Sequence, residues 1–213
     1  MEALAAGLAR STARRRLIVT DSVFSMDGTI APLRAICDLA ERYGAMVMVD
    51  EAHATGVLGP QGRGVAAAEG LTDRITVHMG TLGKALGTFG AFVAGSRALI
   101  DLLVNRARSL IFTTALPPPL AAAALEAVSL ACRADDRRAQ LQENSRRLAA
   151  GLKTLGLQVR DNDTHILPVI IGDAARTMNF SDRLLEAGVF VHGIRPPTVP
   201  EGTARLRVTA MAT

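Results

Sequence analysis

The chain contains no tryptophan, one tyrosine and six phenylalanines among its 213 residues, and its basic residues are scattered along the sequence. Proteins that bind nucleic acids present clustered Lys and Arg side chains, often with aromatic side chains on which bases stack. The formal net charge of +4 is therefore only a weak indication of an anionic ligand. We expect no nucleic-acid partner.

Cysteine is also scarce. Cys37 and Cys132 lie far apart, in helical patterns, without C-x-x-C or metal-ligand spacing. We interpret both as buried free thiols and expect no metal site.

Long apolar runs are absent as well, since none reaches the roughly 18 residues that span a membrane. Residues 1–16 also lack the order of basic, apolar and cleavable regions that defines a signal peptide. We therefore predict a cytoplasmic protein without a membrane partner.

Two phosphate-binding motifs are missing too. A P-loop would require Gly at position 78 and Ser or Thr at position 85, where the chain has His78 and Ala85. The dinucleotide pattern G-x-G-x-x-G does not occur. Neither class of nucleotide site is supported.

The first half of the chain contains apolar runs of strand length separated by helical or loop patterns. They cover residues 16–20, 45–50, 75–79 and 90–95. Their hydrophobicity is continuous rather than alternating, which is typical of strands that are covered on both faces. The pattern predicts a mostly parallel α/β sheet.

The second half changes character after two helical patterns, one over 117–136 and one that ends near Gly156. Shorter apolar runs then surround one helical pattern, which indicates a smaller α+β domain. We predict a large domain over residues 1–133 and a small domain over residues 134–213.

The stretch MGTLGKALG, residues 79–87, places one lysine among glycines and between two apolar runs. Most lysines are solvated surface residues. Here the apolar flanks suggest that Lys84 lies on a glycine-rich connection close to the core, where a desolvated amine would act as a nucleophile.

The run MVMVD continues into DEAHATG, so that Asp50 and His53 follow the carboxyl end of a strand. Ligands bind at such ends in open α/β sheets. A carboxylate there caps a helix or has a cationic partner, and the sequence that follows does not begin a helix. His53 could alternatively be a core histidine that bonds to the backbone.

A lysine on one loop and an aspartate at a strand end are the pair that pyridoxal 5'-phosphate (PLP) requires. Four blocks resemble the α-oxoamine synthases, a family of PLP enzymes of fold type I: VFSMDG (23–28), VDEAHATGVLGPQGRG (49–64), GTLGKALG (80–87) and RPPTVPEGTARLRVT (195–209). The resemblance implies an aspartate aminotransferase-like α/β fold, with a partial PLP-binding large domain at 1–133 and an incomplete small domain at 134–213.

The resemblance also implies a PLP-dependent acyltransferase that condenses an amino acid with an acyl thioester and releases carbon dioxide. The last block is most similar to members that join L-alanine to pimeloyl-CoA, or to its carrier-protein thioester, in biotin biosynthesis. Members of the glycine C-acetyltransferase, 5-aminolevulinate synthase and serine palmitoyltransferase types remain alternatives, because they share the catalytic lysine and aspartate.

Carried over by position, the resemblance assigns roles to four residues. Lys84 would hold PLP as a Schiff base and move the α-proton of the amino acid, and Asp50 would keep the ring nitrogen protonated. His53 would bond to the phenolic oxygen of the cofactor, and Ser25 would approach the same part of it.

The phosphate group of the cofactor would be bound by hydroxyl groups. Thr81 resembles the family residue for this role, with His78 close by. Thr114, or alternatively Thr113, would reach the phosphate of the neighbouring subunit, so the resemblance implies a homodimer.

In ARLRVT, Arg205 and Arg207 alternate with apolar residues and share one face of a strand, where an arginine could clamp a carboxylate. The family pattern selects Arg207 for the amino-acid substrate and leaves Arg205 solvated. Arg195 would meet the far carboxylate of the acyl substrate.

The resemblance covers only the middle and later part of a family member. The N-terminal arm, the glycine-rich phosphate loop and the final helix have no counterpart here. We therefore expect the 213 residues to be truncated at both ends and inactive alone. The alternative is an inactive fragment that acts only as a subunit-binding module.

Overall fold

The computed structural model describes residues 1–160 and 163–213. They form two compact units. The first unit comprises Met1–Val23 and Ala31–Asp135, and the second comprises Phe24–Ile30 and Asp136–Thr213. The sequence did not indicate that the short segment 24–30 lies with the C-terminal part of the chain.

The first unit contains a four-stranded sheet in the order β1-β2-β3-β4. Its strands are β1 (Leu17–Asp21), β2 (Met46–Asp50), β3 (Val77–Thr81) and β4 (Ala91–Gly95). The first three strands are parallel, and β4 is antiparallel to β3. The predicted α/β class is confirmed.

The expectation that the fourth apolar run is buried is wrong, because all five residues of β4 are exposed. Strand β4 lies at the edge of the sheet. An apolar composition does not distinguish an edge strand from a central one, since that depends on which elements cover it.

Six helices complete the first unit: α1 (Glu2–Arg10), α2 (Leu33–Tyr43), α3 (Val65–Ala68), α4 (Arg97–Arg106), α5 (Arg108–Ile111) and α6 (Pro118–Cys132). Helix α2 buries Leu33, Ile36, Cys37 and Ala40, which recur at helical spacing on one face. The helix ends at Tyr43 and is followed by Gly44, whose left-handed φ of 60° suits a glycine. Cys37 is buried as predicted, but Cys132 at the end of α6 is exposed.

The second unit contains a three-stranded antiparallel sheet in the order β5-β7-β6. Its elements are α7 (Asp135–Thr154), β5 (Ile166–Gly172), α8 (Ala174–Glu186), β6 (His192–Ile194) and β7 (Ala204–Thr209). Asp173 caps α8, since its Oδ1 accepts a hydrogen bond from Arg176 N at 2.7 Å. The first four residues of β5 are buried, so both faces of this part of the strand contribute to the core of the unit.

Within the described residues, no helix is both long and apolar enough to cross a membrane. The cytoplasmic location stays a prediction from the sequence.

Glu51, the residue after β2, is a buried carboxylate with only 4% exposure. Its Oε2 accepts hydrogen bonds from Ser22 Oγ at 2.7 Å and Val65 N at 3.0 Å, and its Oε1 accepts from Ala66 N at 2.8 Å. Val65 and Ala66 open α3, where backbone N–H groups have no acceptor within the helix. Glu51 therefore fixes the start of α3 against the carboxyl ends of β1 and β2.

Glu51→Gln should destabilise the chain by about 2 to 3 kcal/mol, because an amide group replaces one acceptor oxygen with a donor facing other donors. Urea unfolding followed by circular dichroism measures this loss. Glu126→Gln removes the same charge from a side chain that is 66% exposed and serves as the matched control. Equal unfolding midpoints for the two variants would contradict the anchoring role of Glu51.

Candidate active site

The carboxyl ends of β1 and β2 bring two aspartates together in the first unit. Asp21 and Asp50 are register partners on these parallel strands, and Asp50 also pairs with Met79 of β3. The edge of a parallel sheet formed by such strand ends is where open α/β sheets bind ligands. The structure therefore places Asp50 where the sequence predicted it.

Lys84 lies on the connection between β3 and β4. Backbone bonds from Thr88 N to Leu82 O (2.9 Å) and from Gly87 N to Lys84 O (3.0 Å) hold this connection in a tight turn. The lysine side chain is exposed, so the expectation of a desolvated amine is wrong. In this turn Lys84 lies between Gly83 and Ala85, which are also exposed.

The amine of Lys84 has a specific partner. Its Nζ lies 3.0 Å from Nε2 of His53. His53 belongs to the turn after β2, in which Ala54 N and Thr55 N both donate to Glu51 O at 2.8 and 2.7 Å. Two segments that are 31 residues apart in sequence thus meet through a lysine amine and an imidazole. The sequence alone left open that His53 is a core histidine that bonds to the backbone. Its Nε2 instead contacts the Lys84 side chain.

Asp50 accepts a hydrogen bond from Ala52 N at 2.7 Å through Oδ1. This bond spans two residues and stabilises the turn, as aspartates commonly do. The bond uses one carboxylate oxygen, and within residues 1–160 and 163–213 the other oxygen accepts no hydrogen bond.

Asp21 was not found by the sequence analysis. Burial raises the pKa of its carboxyl group above the usual value, and the neighbouring Asp50 raises it further, while Lys84 acts in the opposite direction. Asp21, Asp50 and Lys84 therefore belong to one electrostatic cluster. The sequence LIVTD (17–21) could have indicated Asp21, because it is an apolar run that ends in Asp, as MVMVD (46–50) is.

Thr81, the last residue of β3, has a hydroxyl group that donates to Gly90 O at 3.1 Å and accepts from Gly83 N at 3.2 Å. His78 is placed differently from our expectation. Side chains alternate along a strand, so His78 and Thr81 lie on opposite faces of β3. The ring of His78 bonds to Thr72 O at 3.0 Å and lines a cavity of about 510 Å³.

Thr113 and Thr114 lie between α5 and α6 and are exposed. Within the single chain they do not join the groups around Lys84 in any described contact. Their predicted role across a subunit interface stays a prediction.

In the second unit, Arg207 on β7 lies against the segment 24–30. Its Nε donates to Ser25 O at 2.7 Å, and its Nη1 donates to Thr209 Oγ1 at 3.0 Å. Burial lowers the pKa of its guanidinium group. A bound anion would offset this cost of burial. The structure thus brings Ser25 and Arg207 together through the backbone of Ser25.

The prediction that Arg205 is solvated is wrong, because this residue is only 4% exposed. Its Nη1 lies 2.7 Å from Asp27 Oδ1, and its Nε donates to Thr203 O at 3.0 Å. Asp27 also pairs with Arg160 at 3.2 Å. The segment 24–30 covers this part of β7, which alternation along the strand alone could not reveal.

Arg195 follows β6 and is exposed. Its Nη1 lies 3.5 Å from the sulfur of Met178 on α8. The guanidinium group is accessible, as a residue that binds a substrate end requires.

His165 precedes β5 and was not considered in the sequence analysis. Burial lowers the pKa of its imidazole to about 4, and the positive charge of Arg207 contributes in the same direction. Its Nδ1 is buried and has no hydrogen-bond partner within the described residues. The imidazole is therefore neutral near pH 7.

This histidine should make the stability of the chain depend on pH. Its pKa is about 4 in the folded chain against 6.5 in an unfolded one, so the unfolded chain binds more protons between these values. Stability should fall as the pH falls through this window, by about 3 kcal/mol at most. The free energy of unfolding, measured with urea at pH 7 and pH 4.5, should no longer depend on pH in this way in His165→Asn. In His192→Asn, which changes an exposed histidine, the dependence should remain. A wild-type stability that does not change over this range would contradict the assignment.

Comparison with known proteins gives the relationships of the chain. The family model for aminotransferase class I and II matches residues 1–213. The 8-amino-7-oxononanoate synthase of Anaeromyxobacter dehalogenans (strain 2CP-1 / ATCC BAA-258) is 56% identical over 212 residues, which are 100% of this chain and 53% of the relative. The chain spans about half the length of the curated relatives it matches.

Two solved structures are similar over nearly the whole chain. A structure of SPT (serine palmitoyltransferase) with a PLP internal aldimine superposes with a TM-score of 0.95 at 37% identity, and the match covers 99% of this chain and 54% of that one. The 8-amino-7-oxononanoate synthase of Francisella tularensis gives a TM-score of 0.84 at 29% identity, with 99% of this chain and 61% of that one covered. The predicted fold type I architecture is confirmed, and the chain belongs to the aminotransferase class I and II family, within its α-oxoamine synthases.

Proposed function

We propose that the chain is the PLP-binding part of an 8-amino-7-oxononanoate synthase, which condenses L-alanine with pimeloyl-CoA or a pimeloyl carrier-protein thioester. The observation that carries this proposal is the contact of 3.0 Å between Lys84 Nζ and His53 Nε2, beside the carboxyl end of the strand that carries Asp50. The relatives of that name, at 56 to 54% identity, support the substrate assignment.

The residues around Lys84 fit the chemical groups of PLP. An exposed amine on a glycine-rich turn can reach an aldehyde, and the imidazole of His53 can bond to an adjacent phenolic oxygen. Two carboxylates at the strand ends, with Lys84 as the neighbouring cation, favour a further positive charge. The protonated ring nitrogen of PLP supplies such a charge.

When bound, PLP would supply an electron-withdrawing ring that accepts the electron pair of a broken bond at the amino-acid α-carbon. Lys84 would attach the cofactor and carry the α-proton on its Nζ. Asp50 would hold the proton on the ring nitrogen through the carboxylate oxygen that does not bond to Ala52. His53 and Ser25 would orient the phenolic side of the ring.

Hydroxyl groups would bind the cofactor phosphate. Thr81 is proposed for this role because its hydroxyl group stands at the turn that carries Lys84. Thr114 is proposed to act on the cofactor of a second subunit, so that the protein would work as a homodimer.

Arg207 is proposed to bind the carboxylate of the amino-acid substrate. Two of its nitrogen atoms are held by Ser25 and Thr209, while Nη2 makes no hydrogen bond within the described residues. The side chain of Arg207 is thereby held in place, and the N–H groups of its Nη2 can donate hydrogen bonds to a carboxylate. Arg195 is proposed to meet the distal carboxylate of the pimeloyl group.

Arg207→Lys should weaken the binding of L-alanine by about 1.5 to 3 kcal/mol, because a point charge replaces a planar fork that makes charged hydrogen bonds. Titration of the cofactor-loaded protein with L-alanine, followed by absorbance, gives the dissociation constant. Cofactor binding itself should change little. An unaltered constant would move the carboxylate site elsewhere, and Arg195→Lys would then be measured next.

A substrate panel tests the proposed reaction. The chain would be assayed alone and as a fusion to the unmatched half of the Anaeromyxobacter relative, since the chain spans 53% of that protein. Glycine, L-serine and L-alanine would each be combined with acetyl-, succinyl-, palmitoyl- and pimeloyl-CoA. The fusion is expected to form 8-amino-7-oxononanoate only from L-alanine and pimeloyl-CoA, as detected by mass spectrometry, and the chain alone is expected to be inactive. A preference for another pair would favour another α-oxoamine synthase, of the glycine C-acetyltransferase, 5-aminolevulinate synthase or serine palmitoyltransferase type.

A second candidate function is that of a subunit-binding module without activity of its own. The first unit exposes large apolar side chains on the turn before β4, on three helices and directly after α5, namely Phe89, Leu102, Leu110, Leu125 and Phe112. Apolar surface of this kind is typical of sites that bind another chain. Light scattering after size exclusion would show self-association, and turnover by the chain alone would exclude the purely structural function.

A further inference from the structure

Asp21 and Asp50 form a pair of neighbouring carboxylates. They are Cα partners in the register of β1 and β2. Adjacent strands lie about 4.8 Å apart, and directly paired residues project to the same face of a sheet. The two side chains are half-buried, so water screens their repulsion only in part.

The positive charge near Asp21 and Asp50 is smaller than the negative charge of the two carboxylates. The cation near Asp21 is Lys84, on the connection between β3 and β4, and its amine is also engaged by His53. Asp50 receives one backbone hydrogen bond, from Ala52 N. Within residues 1–160 and 163–213, the carboxylate of Asp21 accepts no hydrogen bond. Two carboxylates therefore share one ammonium group.

Burial and the charge of Asp50 both raise the pKa of Asp21. A raised pKa means that the charged form of the Asp21 carboxylate is disfavoured when Lys84 is the cation beside it. A second cation beside Asp50 would remove the imbalance.

We propose that Asp21 is a positioning residue, which acts through Asp50 to keep the ring nitrogen of bound PLP protonated. This inference rests on the proposed function. A single aspartate would supply one negative charge to the ring nitrogen. The second charge on the adjacent strand strengthens the attraction for the same proton, because both carboxylates lie on one side of the sheet edge.

The test measures the ring nitrogen directly. The chain would be loaded with PLP that carries nitrogen-15 in its ring, and the nitrogen chemical shift would be followed against pH. In Asp21→Asn the ring should lose its proton about one pH unit lower than in the wild type, since one nearby opposite charge is gone. Asp21→Glu keeps the charge and should lie closer to the wild type. Asp73→Asn, an exposed position in the same unit, should match the wild type.

The outcomes separate this inference from the proposed function. If the wild type binds PLP at Lys84 and Asp21→Asn titrates at the same pH, Asp21 is merely structural and the inference is overturned, while the proposed function stands. If the wild type shows no bound cofactor signal, both are overturned. Should Asp21→Asn fail to fold, Asp21→Ser provides a second neutral side chain, and a titration equal to that of the wild type would again contradict the proposal.

Discussion

Borohydride reduction of the chain in the presence of PLP is expected to attach the cofactor to Lys84. Reduction traps the bond between an amine and the PLP aldehyde as a stable secondary amine. The sequence contains two lysines, Lys84 and Lys153, so peptide mapping distinguishes them without ambiguity. Lys84 is expected to react because it stands on an exposed turn beside His53, 3.0 Å from its imidazole.

Lys84→Ala should abolish this label, and in the fusion protein it should reduce turnover by at least about 10²- to 10⁴-fold, the usual contribution of a proton-transferring group. Lys153→Ala is the matched control, since that residue lies in the last turn of α7. Label on Lys153 in the wild type, or equal labelling of Lys84→Ala and wild type, would refute the assignment of Lys84.

In the fusion protein, Asp50→Asn is expected to slow exchange of the α-proton of L-alanine by about 10²- to 10³-fold, the cost of losing one preorganised electrostatic contact to a developing charge. The amide keeps the size of the side chain and can still accept from Ala52 N, so the turn after β2 should persist. What is lost is the negative charge that holds a proton on the ring nitrogen.

Deuterium exchange from L-alanine into solvent, followed by proton NMR, measures this rate. Asp73→Asn controls for the change in net charge, since Asp73 is exposed. Unfolding midpoints of Asp50→Asn and wild type show whether the variant is intact. A folded variant with an undiminished exchange rate would mean that Asp50 is structural.

The local elements of the fold could be predicted from the sequence. Strands β1, β2 and β3 lie where the apolar runs at 16–20, 45–50 and 75–79 indicated them, and helix α6 lies within the helical pattern at 117–136. Such patterns work because burial of one helix face imposes a helical period on apolar residues, and burial of both strand faces requires a continuous apolar run. The α4 and α5 helices were not foreseen, and neither of them has a fully buried residue.

Parts of the candidate site could not be predicted because they depend on contacts between residues that are distant in sequence. Arg205 and Arg207 look equivalent in ARLRVT, yet Arg205 is buried against Asp27, which is 178 residues away. His78 looked close to Thr81 along the chain, but the alternation of β3 directs it to the opposite face. Asp21 stayed unnoticed until the register of β1 and β2 placed it opposite Asp50.

The sequence by itself determined the α/β class and the family motifs, and it selected Lys84 as the candidate cofactor lysine, because apolar runs, glycine-rich turns and residue types at fixed spacing are local properties. Only the tertiary structure decided that Lys84 is exposed beside His53, that β4 is an uncovered edge strand, and that Asp21 shares its surroundings with Asp50. Exposure, pairing and electrostatic neighbours arise when distant segments pack together. The physical reason is that the free energy of a charge depends on what surrounds it in space.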